Sequence, residues 1–556
     1  MGQVGRNLSR SVFGIPLSTM ITAQALFLMG ALASGLLGVF WPAAFAIGLA
    51  LALPWVIHVR GRFLTTLIRT RWSYAVAKRD DRTAELPEAF DITGPDGDRI
   101  GVRWDGEVIT SMIRLLPVRA EVTSMRGGTA FTRDTVPLRV LADALDQFDI
   151  ALEGIDVVCL GARTVGESLQ ASVYERLLGP LPAIARRNTW LTVRFRPRSC
   201  PEAVARRGGD TTGALRAAAV ATTRIVRKLA ESGHAARVLP ALDVNAAIAQ
   251  LTGGVPVDRF EQRWDCAASP REVHTSFVAD RSALSGDALA PVWGPVSRHT
   301  ALTLQIRPAP ADGATVGAVV RYLTPGPAQL PRTVPLRLLA GRQQEALLAS
   351  LPFGGRGQAP IADPAVLDGE ALEQISIPAS GCGQLVGADE AGNAIAVRIA
   401  APDVRRVDIV GGLFLAQQVT LRAIAIGARV LVHTDRPHVW QPMVDAIGAE
   451  QVLRVATAAA ASSQANSERE YTVVLLDGAE SCVPRADLTV IRLLSDEVPA
   501  RAAGVPDIRL VQPDVHEETF DLHIGDRRLT LSMVSIPDEL RIIGASQPGR
   551  RAVGVR

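Results

Sequence analysis

The residues that most resemble a catalytic motif lie around Gly411 and Gly412. A short apolar strand is predicted to end there and a helix to begin, which is where a P-loop binds phosphates through its backbone amides. A second apolar run, 473–476, ends in Asp477, the position of the magnesium-binding acid in such enzymes. The lysine that must reach the phosphates is absent, because Gly412 is followed by Leu-Phe-Leu-Ala-Gln-Gln. This pattern predicts a nucleotide-like sheet without catalysis, with a degenerate nucleotide-binding regulatory protein as an alternative.

A second candidate motif is Asp96-Gly97-Asp98, which matches the D-x-D pattern by which sugar-nucleotide transferases hold a metal. It follows Gly94-Pro95, and this composition is typical of a solvated β-turn. The β-turn is therefore favoured over a metal site. The alternative is a membrane-anchored glycosyltransferase-like enzyme with Asp96 and Asp98 as metal ligands.

Two histidines, His433 and His438, flank a predicted loop that also contains Asp435. Two histidines at this spacing outside a helix have no fixed geometry for binding a metal. We therefore expect both to be ordinary loop residues whose polar groups are satisfied by the protein. No motif in the chain identifies a nucleophile or a general base. We therefore predict no catalytic residue, no cofactor and no metal site, and expect that the protein is not an enzyme.

Basic side chains cluster on one side of a predicted helix over 211–231. They are Arg216, Arg224, Arg227 and Lys228, and seven further arginines precede them between 186 and 207. Such a surface fits anionic lipid head groups, an acidic protein partner or a solvated charged face. These three interpretations stay open at the level of sequence.

The first folded unit, 80–353, is predicted to be α/β or α+β because strand and helix patterns alternate along it. It opens with a hairpin whose turn is Asp105-Gly106. A helix is predicted over 136–148 because Leu138, Leu141, Leu145 and Phe148 recur at helical spacing. The remaining predicted elements are strands 155–160, 189–195, 273–280, 300–306 and 315–322 and helices 173–184 and 211–231.

A second α/β unit, 365–543, is predicted beyond a loop-like stretch at 354–364. Its predicted strands and helices alternate as in a small parallel sheet with helical crossovers, and a terminal hairpin turns at Gly525-Asp526. The predicted elements are strands 407–410, 428–433, 472–476 and 488–493 and helices 413–426 and 439–447. Residues 544–556 are expected to form a flexible tail.

The chain begins with a segment that predicts membrane anchorage. From Ser11 to Val59, 49 residues contain no Asp, Glu, Lys or Arg, which suffices for two membrane helices, about 17–39 and 42–59. Arginines and a lysine flank this hairpin on both sides, so the positive-inside rule places both termini in the cytoplasm. The N-terminal domain is therefore predicted to span 1–79. The alternatives are a secretory signal cleaved near Ala31-Leu32-Ala33 and a pair of buried helices in a soluble protein.

Composition excludes several classes of function. The formal net charge is +3, and arginine far outnumbers lysine, which indicates a high-GC bacterial composition and no nucleic-acid partner. The five cysteines are far apart and form no C-x-x-C pair, so neither disulfides nor a zinc site is expected. They are Cys159, Cys200, Cys266, Cys382 and Cys482.

Several motifs together resemble EccE, the membrane component of the type VII (ESX) secretion system of actinobacteria. The most specific are Gly154-Ile155-Asp156-Val157-Val158, the run Arg186-Arg187-Asn188-Thr189-Trp190-Leu191-Thr192-Val193-Arg194, the segment 200–209 and Arg263-Trp264-Asp265-Cys266. The similarity covers roughly residues 10–340 and weakens past about 360.

This resemblance implies a membrane-anchored α/β protein that is a non-catalytic structural subunit of an inner-membrane secretion complex. It also implies partners of the EccB, EccC and EccD types, with the mycosin protease as a further candidate, and contact with membrane lipid. The EccC-type partner would be the ATPase. The expected location is the cell (inner) membrane, with two membrane helices and cytoplasmic termini.

Overall fold

The structure is a computed structural model. It describes residues 87–119, 121–309, 313–329, 334–353, 364–457, 470–478, 485, 488–494 and 505–544 and, nearer the N-terminus, 11–12, 15–36, 38, 40–56, 58–59, 62–63, 71–72 and 74. The predicted tail beyond residue 544 lies outside the described residues, as do the flanking residues Arg6, Arg10, Lys78 and Arg79.

The described α-helices are labelled in chain order. They are α1 Leu17–Leu36, α2 Trp41–Val56, α3 Leu138–Ala142, α4 Leu169–Leu178, α5 Pro201–Arg206, α6 Asp210–Glu231, α7 Ala241–Leu251, α8 Gln343–Ala349, α9 Gly369–Gln374, α10 Leu413–Ala425, α11 Gln441–Ile447 and α12 Pro537–Ile543.

The described strands are labelled in the same way. The first group is β1 Ser11–Val12, β2 Ile15–Pro16, β3 His58–Val59, β4 Arg62–Phe63, β5 Phe90–Thr93, β6 Arg99–Trp104, β7 Ile109–Leu115, β8 Val122–Arg126, β9 Thr129–Phe131, β10 Asp146–Gln147, β11 Ile150–Ala151, β12 Gly154–Ala162, β13 Arg186–Phe195, β14 Ala236–Val238, β15 Glu261–Gln262 and β16 Ala267–Ala268. The second group is β17 Val273–Ala279, β18 His299–Pro308, β19 Ala314–Thr324, β20 Leu336–Leu338, β21 Ala365–Leu367, β22 Gln384–Ala388, β23 Ala394–Val397, β24 Arg406–Val410, β25 Val430–Thr434, β26 Leu453–Ala456, β27 Val473–Asp477, β28 Thr489–Leu494, β29 Ile508–Val511, β30 Thr519–Ile524 and β31 Arg527–Ser532.

One compact unit comprises residues 1–84 with the short segments 262–264 and 340–342. Helices α1 and α2 pack on each other in it, and the rings of Phe27 and Phe45 meet edge to face with centroids 5.1 Å apart. Both helices, Leu17–Leu36 and Trp41–Val56, fall within the charge-free run. Among the described residues, no helix combines the length and the apolar character needed to cross a membrane. The transmembrane hairpin stays a prediction.

The other compact unit comprises 85–261, 265–339 and 343–556, and it contains two large sheets. Sheet one follows the order β16-β17-β19-β18-β12-β13-β7-β6-β5, and its long central pairs are antiparallel. All nine residues of β12 are buried because both faces of this sheet are covered. Alanine-rich α6 packs on one face, and α7 packs on the other through Val244, Ala247 and Leu251.

A buried ion cluster ties the centre of sheet one together. Asp156 on β12 is 1% exposed and lies 2.6 Å from Arg194 on β13 and 2.6 Å from Arg307 on β18. Burial alone would raise the pKa of Asp156, but the two arginines outweigh it and hold the pKa below its usual range. Such a cluster is costly to break, because removing one partner leaves a buried charge uncompensated.

Sheet two follows the order β26-β25-β27-β28-β24-β29-β30-β31-β22-β23-β8-β9. The pairs from β26 to β29 are parallel, and the chain crosses from β24 to β25 through α10, as the sequence pattern predicts. The terminal hairpin of β30 and β31 turns at Gly525-Asp526, with Ile524 opposite Arg527. Strands β8 and β9 extend this sheet by pairing Val122 with Val397, a non-local arrangement that no local pattern predicts. The predicted domain boundaries stay a prediction.

The helix predicted over 136–148 is wrong in its second half. Only Leu138–Ala142 is helical, and the chain then forms a two-residue hairpin between β10 and β11. Leu138, Leu141 and Leu145 are buried as their spacing indicates, whereas Phe148 is 97% exposed at the hairpin turn. The helical spacing extends by chance over a residue whose backbone has positive φ, which no right-handed helix accepts.

Candidate functional site

The junction around Gly411 and Gly412 has the predicted strand-to-helix geometry, since β24 ends at Val410 and α10 begins at Leu413. The Gly412 amide donates to the side-chain oxygen of Gln512 over 3.0 Å, and the Gly411 amide faces the Leu494 carbonyl at 3.3 Å. A Cβ at Gly411 would lie 2.8 Å from the Gln512 Cβ. The close approach of Gln512 thus accounts for Gly411, and the position that a phosphate takes in a P-loop is filled by a glutamine side chain.

Asp477 ends β27 and its carboxylate anchors the loop that follows β25. It accepts hydrogen bonds from Thr434 Oγ1 at 2.8 Å, Arg436 Nη2 at 2.7 Å and Trp440 Nε1 at 3.0 Å. Burial by itself raises the pKa of this carboxyl, but the three donors outweigh it and keep the pKa below its usual range. The carboxylate is therefore ionised and bound to protein groups at the end of β27.

The Asp96-Gly97-Asp98 motif forms a tight turn between β5 and β6. The Gly94 amide donates to the Asp98 carbonyl over 2.8 Å, and Gly97 has φ of +83°, which favours glycine. Asp96 pairs with Arg227 of α6 at 2.5 Å. The turn predicted from composition is thus present, with one of its two acids engaged in an ion pair.

The two histidines near Asp435 have different environments. His433 is buried in β25, whereas His438 and Asp435 are exposed on the loop beyond it. Across the part of the chain that the structure describes, no group of three His, Cys, Asp or Glu side chains is placed to hold a metal ion.

Most of the basic side chains on and before α6 are paired with acids of the same unit. Arg207 lies 2.7 Å from Asp149, and Arg224 lies 3.5 Å from it. Arg196 pairs with Glu153 at 2.8 Å, and Arg206 pairs with Glu202 at 3.2 Å. These pairs neutralise part of the charge that the sequence shows, but Arg207 and Arg224 share one carboxylate, so an excess of positive charge remains beside Asp149.

An open cleft of about 1140 Å³ lies at one end of sheet one, and no sequence pattern predicted it. It is lined by the loop 164–168 before α4, by the C-terminal end of α7 and by the ends of β18 and β19. In the wall of the cleft, Arg298 forms ion pairs with Glu167, at 2.5 Å, and with Glu272, which is only 8% exposed. Ser168 in this lining caps α4 by accepting from the Ala171 amide.

Residues 183–279 match the family described as "Putative type VII ESX secretion system translocon, EccE". The ESX-1 secretion system protein EccE1 of Mycolicibacterium smegmatis is 28% identical over 335 residues, which cover 60% of this chain and 68% of the relative. The ESX-5 secretion system protein EccE5 of Mycobacterium marinum is 26% identical, covering 60% of this chain and 85% of the relative.

The family match falls on the framework of sheet one. Residues 183–279 contain β13, α6, α7 and β17, together with Arg186, Asn188, Gln250 and Glu272 of the cleft. The motif Arg186 to Arg194, on which the resemblance in sequence rests, forms β13. The predicted resemblance is thereby confirmed, and the chain is related to the EccE components of ESX type VII secretion systems.

Proposed function

We propose that this chain is a non-catalytic structural subunit of an inner-membrane type VII (ESX) protein secretion complex. The observation that carries the proposal is the EccE match over residues 183–279. These residues contain strands β13 and β17 of sheet one and the helices α6 and α7. Relatives that bear ESX names cover about 60% of the chain. A shared framework by itself implies no shared active site, because function resides in sites and not in folds.

The groups that resemble catalytic motifs are bound by other protein groups, which supports a non-catalytic role. Asp477 is bound by Arg436 and Trp440, Asp96 by Arg227, and the Gly412 amide by Gln512. A carboxylate or amide engaged in this way must break protein contacts before it binds a substrate. This favours a body that makes protein contacts over one that transfers a chemical group.

The proposed complex contains partners of the EccB, EccC and EccD types, with the mycosin protease as a further candidate. Its energy would come from the EccC-type ATPase. Helices α1 and α2 are proposed as a transmembrane hairpin that contacts membrane lipid and leaves both termini in the cytoplasm. No nucleic-acid partner is proposed.

A double substitution tests the rival transferase function. In the full chain, Asp96→Ala with Asp98→Ala is expected to leave assembly and export unchanged, because the Asp96–Arg227 pair is half-exposed and worth about 0.2–1 kcal/mol. Asp526→Ala, in the exposed turn of the terminal hairpin, is the matched control. Loss of export with intact assembly in the double variant alone would favour the transferase.

Deletion of residues 1–62 tests the anchor. We expect the deleted chain to leave the membrane fraction and to lose its complex, measured by fractionation and co-purification. Retention in the washed membrane fraction would contradict the role proposed for α1 and α2.

A further inference from the structure

Phe148 stands at the tip of the hairpin formed by β10 and β11, with its side chain almost wholly in solvent. Gln147 pairs with Ile150, so Phe148 and Asp149 form a two-residue turn. Phe148 has φ of +59° and is 97% exposed. A positive φ at the first central residue is that of a type II′ turn, which favours glycine there. An exposed phenylalanine in this conformation adds no core packing and carries backbone strain.

The surrounding side chains hold the strained turn in place. Asp149 is bound by Arg207 at 2.7 Å, and Arg224 donates to the Gln147 carbonyl over 3.1 Å. The Gln147 side chain is buried and donates to the Ala144 carbonyl over 3.0 Å. Strained conformations that the surroundings fix in this way occur mostly at functional sites.

Three arginines lie next to the turn that carries the exposed ring, one of them beside the ring itself. The Arg224 guanidinium lies 5.5 Å from the Phe148 ring centroid, within the range of a cation–π contact. Arg206 and Arg207 converge with Arg224 on Asp149, so three positive charges face one carboxylate. Arg206 is 62% exposed and also pairs with Glu202. A surface that receives Phe148 must therefore offer an apolar pocket with negative charge at its rim.

We propose that Phe148 is an anchor residue that inserts into an apolar, acid-rimmed pocket of another protein subunit. This inference rests on the proposed function, because it requires a complex. The fixed backbone favours a protein pocket over lipid. A fluid lipid interface accepts a ring in any orientation, whereas a pocket gains affinity from a side chain held in its bound position. Aromatic and arginine side chains are also typical of interface hot spots.

Substitution of Phe148 separates folding from binding, because the two effects have opposite signs. Phe148→Asn removes the ring and places at positive φ a residue that tolerates it. In the purified full chain, its melting temperature is expected to equal or exceed that of the wild type. In native membranes solubilised in mild detergent, co-purification of other subunits is expected to fall at least tenfold.

Two further variants serve as controls. Phe148→Trp keeps an aromatic anchor and is expected to retain at least half of the co-purified subunits. Leu242→Asn removes another exposed apolar side chain, 79% exposed at the start of α7, and is expected to retain all of them. Full co-purification with Phe148→Asn, or an equal loss with Leu242→Asn, would overturn the proposal. A lower melting temperature of Phe148→Asn would also overturn it, because the ring would then serve folding.

A photo-reactive benzophenone amino acid at position 148 of the full chain distinguishes protein from lipid. We expect a crosslink, mapped by mass spectrometry, to a peptide of a co-purifying subunit that contains Asp or Glu beside apolar residues. Crosslinks to lipid alone, or none, would overturn the anchor. Wild-type chain that elutes without any ESX subunit would overturn the proposed function and the anchor together, whereas an intact complex with Phe148→Asn overturns only the anchor.

Discussion

At the scale of single residues, ion pairs with arginine fix the state of several acids. Asp477 and Asp96, which the sequence motifs single out, and Asp149 each bind an arginine of the same compact unit. The pKa of Asp149 is lowered to about 2, first by its hydrogen bond with Arg207. Since its folded pKa lies below the ordinary value of about 4, this pair contributes stability above pH 4 and loses it as pH falls toward 2.

His274 gives a pH dependence nearer to neutrality. It is buried in β17, where its Nδ1 accepts from Arg321 over 2.7 Å, and burial together with Arg321 lowers its pKa to about 2. In the unfolded chain this histidine binds a proton near pH 6.5, whereas in the folded chain it stays neutral. The stability that it contributes is therefore complete above pH 6.5 and falls below it. This one residue is expected to contribute a slope that approaches about 1.4 kcal/mol per pH unit as pH falls from 6 to 5.

The measurement is the free energy of unfolding of the purified full chain between pH 7 and 5. His274→Asn keeps an acceptor for Arg321 and is expected to flatten the curve, although it lowers stability at pH 7. His438→Asn, on the exposed loop after β25, should keep the wild-type slope. Identical slopes for His274→Asn and the wild type would show that this histidine is not buried as described.

At the scale of elements, the junction of β24 and α10 has the shape of a phosphate site without its chemistry. Gln512 accepts from the Gly412 amide and donates to the Glu517 carbonyl over 2.8 Å. We expect that ATP or GTP with magnesium at 1 mM leaves the melting temperature of the full chain unchanged. A ligand present at 100 times its Kd would add about 2.7 kcal/mol of stability, which melting curves detect readily.

Gln512→Ala is the matched variant, because it frees the Gly412 amide without supplying a cation. It should also show no shift with nucleotide, since no lysine follows Gly412 to reach the phosphates. A rise of several degrees at sub-millimolar nucleotide in either protein would contradict this account.

Much of the secondary structure could be predicted because its signals are local. The parallel strands β24, β25 and β27 and the terminal hairpin follow apolar runs and turn residues directly. The addition of β8 and β9 to sheet two could not be predicted, because strand pairing across nearly 270 residues leaves no local trace. The cleft beside sheet one was missed for the same reason, since segments far apart in the chain form it.

Phe148 is the residue at which the prediction of a helix over 136–148 is wrong. Its spacing after Leu138, Leu141 and Leu145 places it on a helix face, but the chain leaves the helix at Ala142. Local sequence and fold disagree there, and such disagreement is expected at functional or strained positions. The same residue carries the inference about a partner pocket.

At the scale of the whole molecule, the charge-free run and the EccE similarity lead to one account. The run predicts attachment to a membrane, and the family match covers a segment of the sheet-one framework. The tempting acids and the Gly412 amide are held by neighbouring side chains. We propose that this chain acts by assembling with other ESX membrane subunits and not by chemistry of its own.

Purification of the tagged full chain from native membranes in mild detergent, with mass spectrometry of the co-eluting proteins, tests that claim most directly. We expect co-elution with EccB-, EccC- and EccD-type proteins in one high-mass peak, and the same peak for the Asp96→Ala, Asp98→Ala double variant. Elution of the wild-type chain by itself, at the mass of one detergent-bound chain, would contradict it.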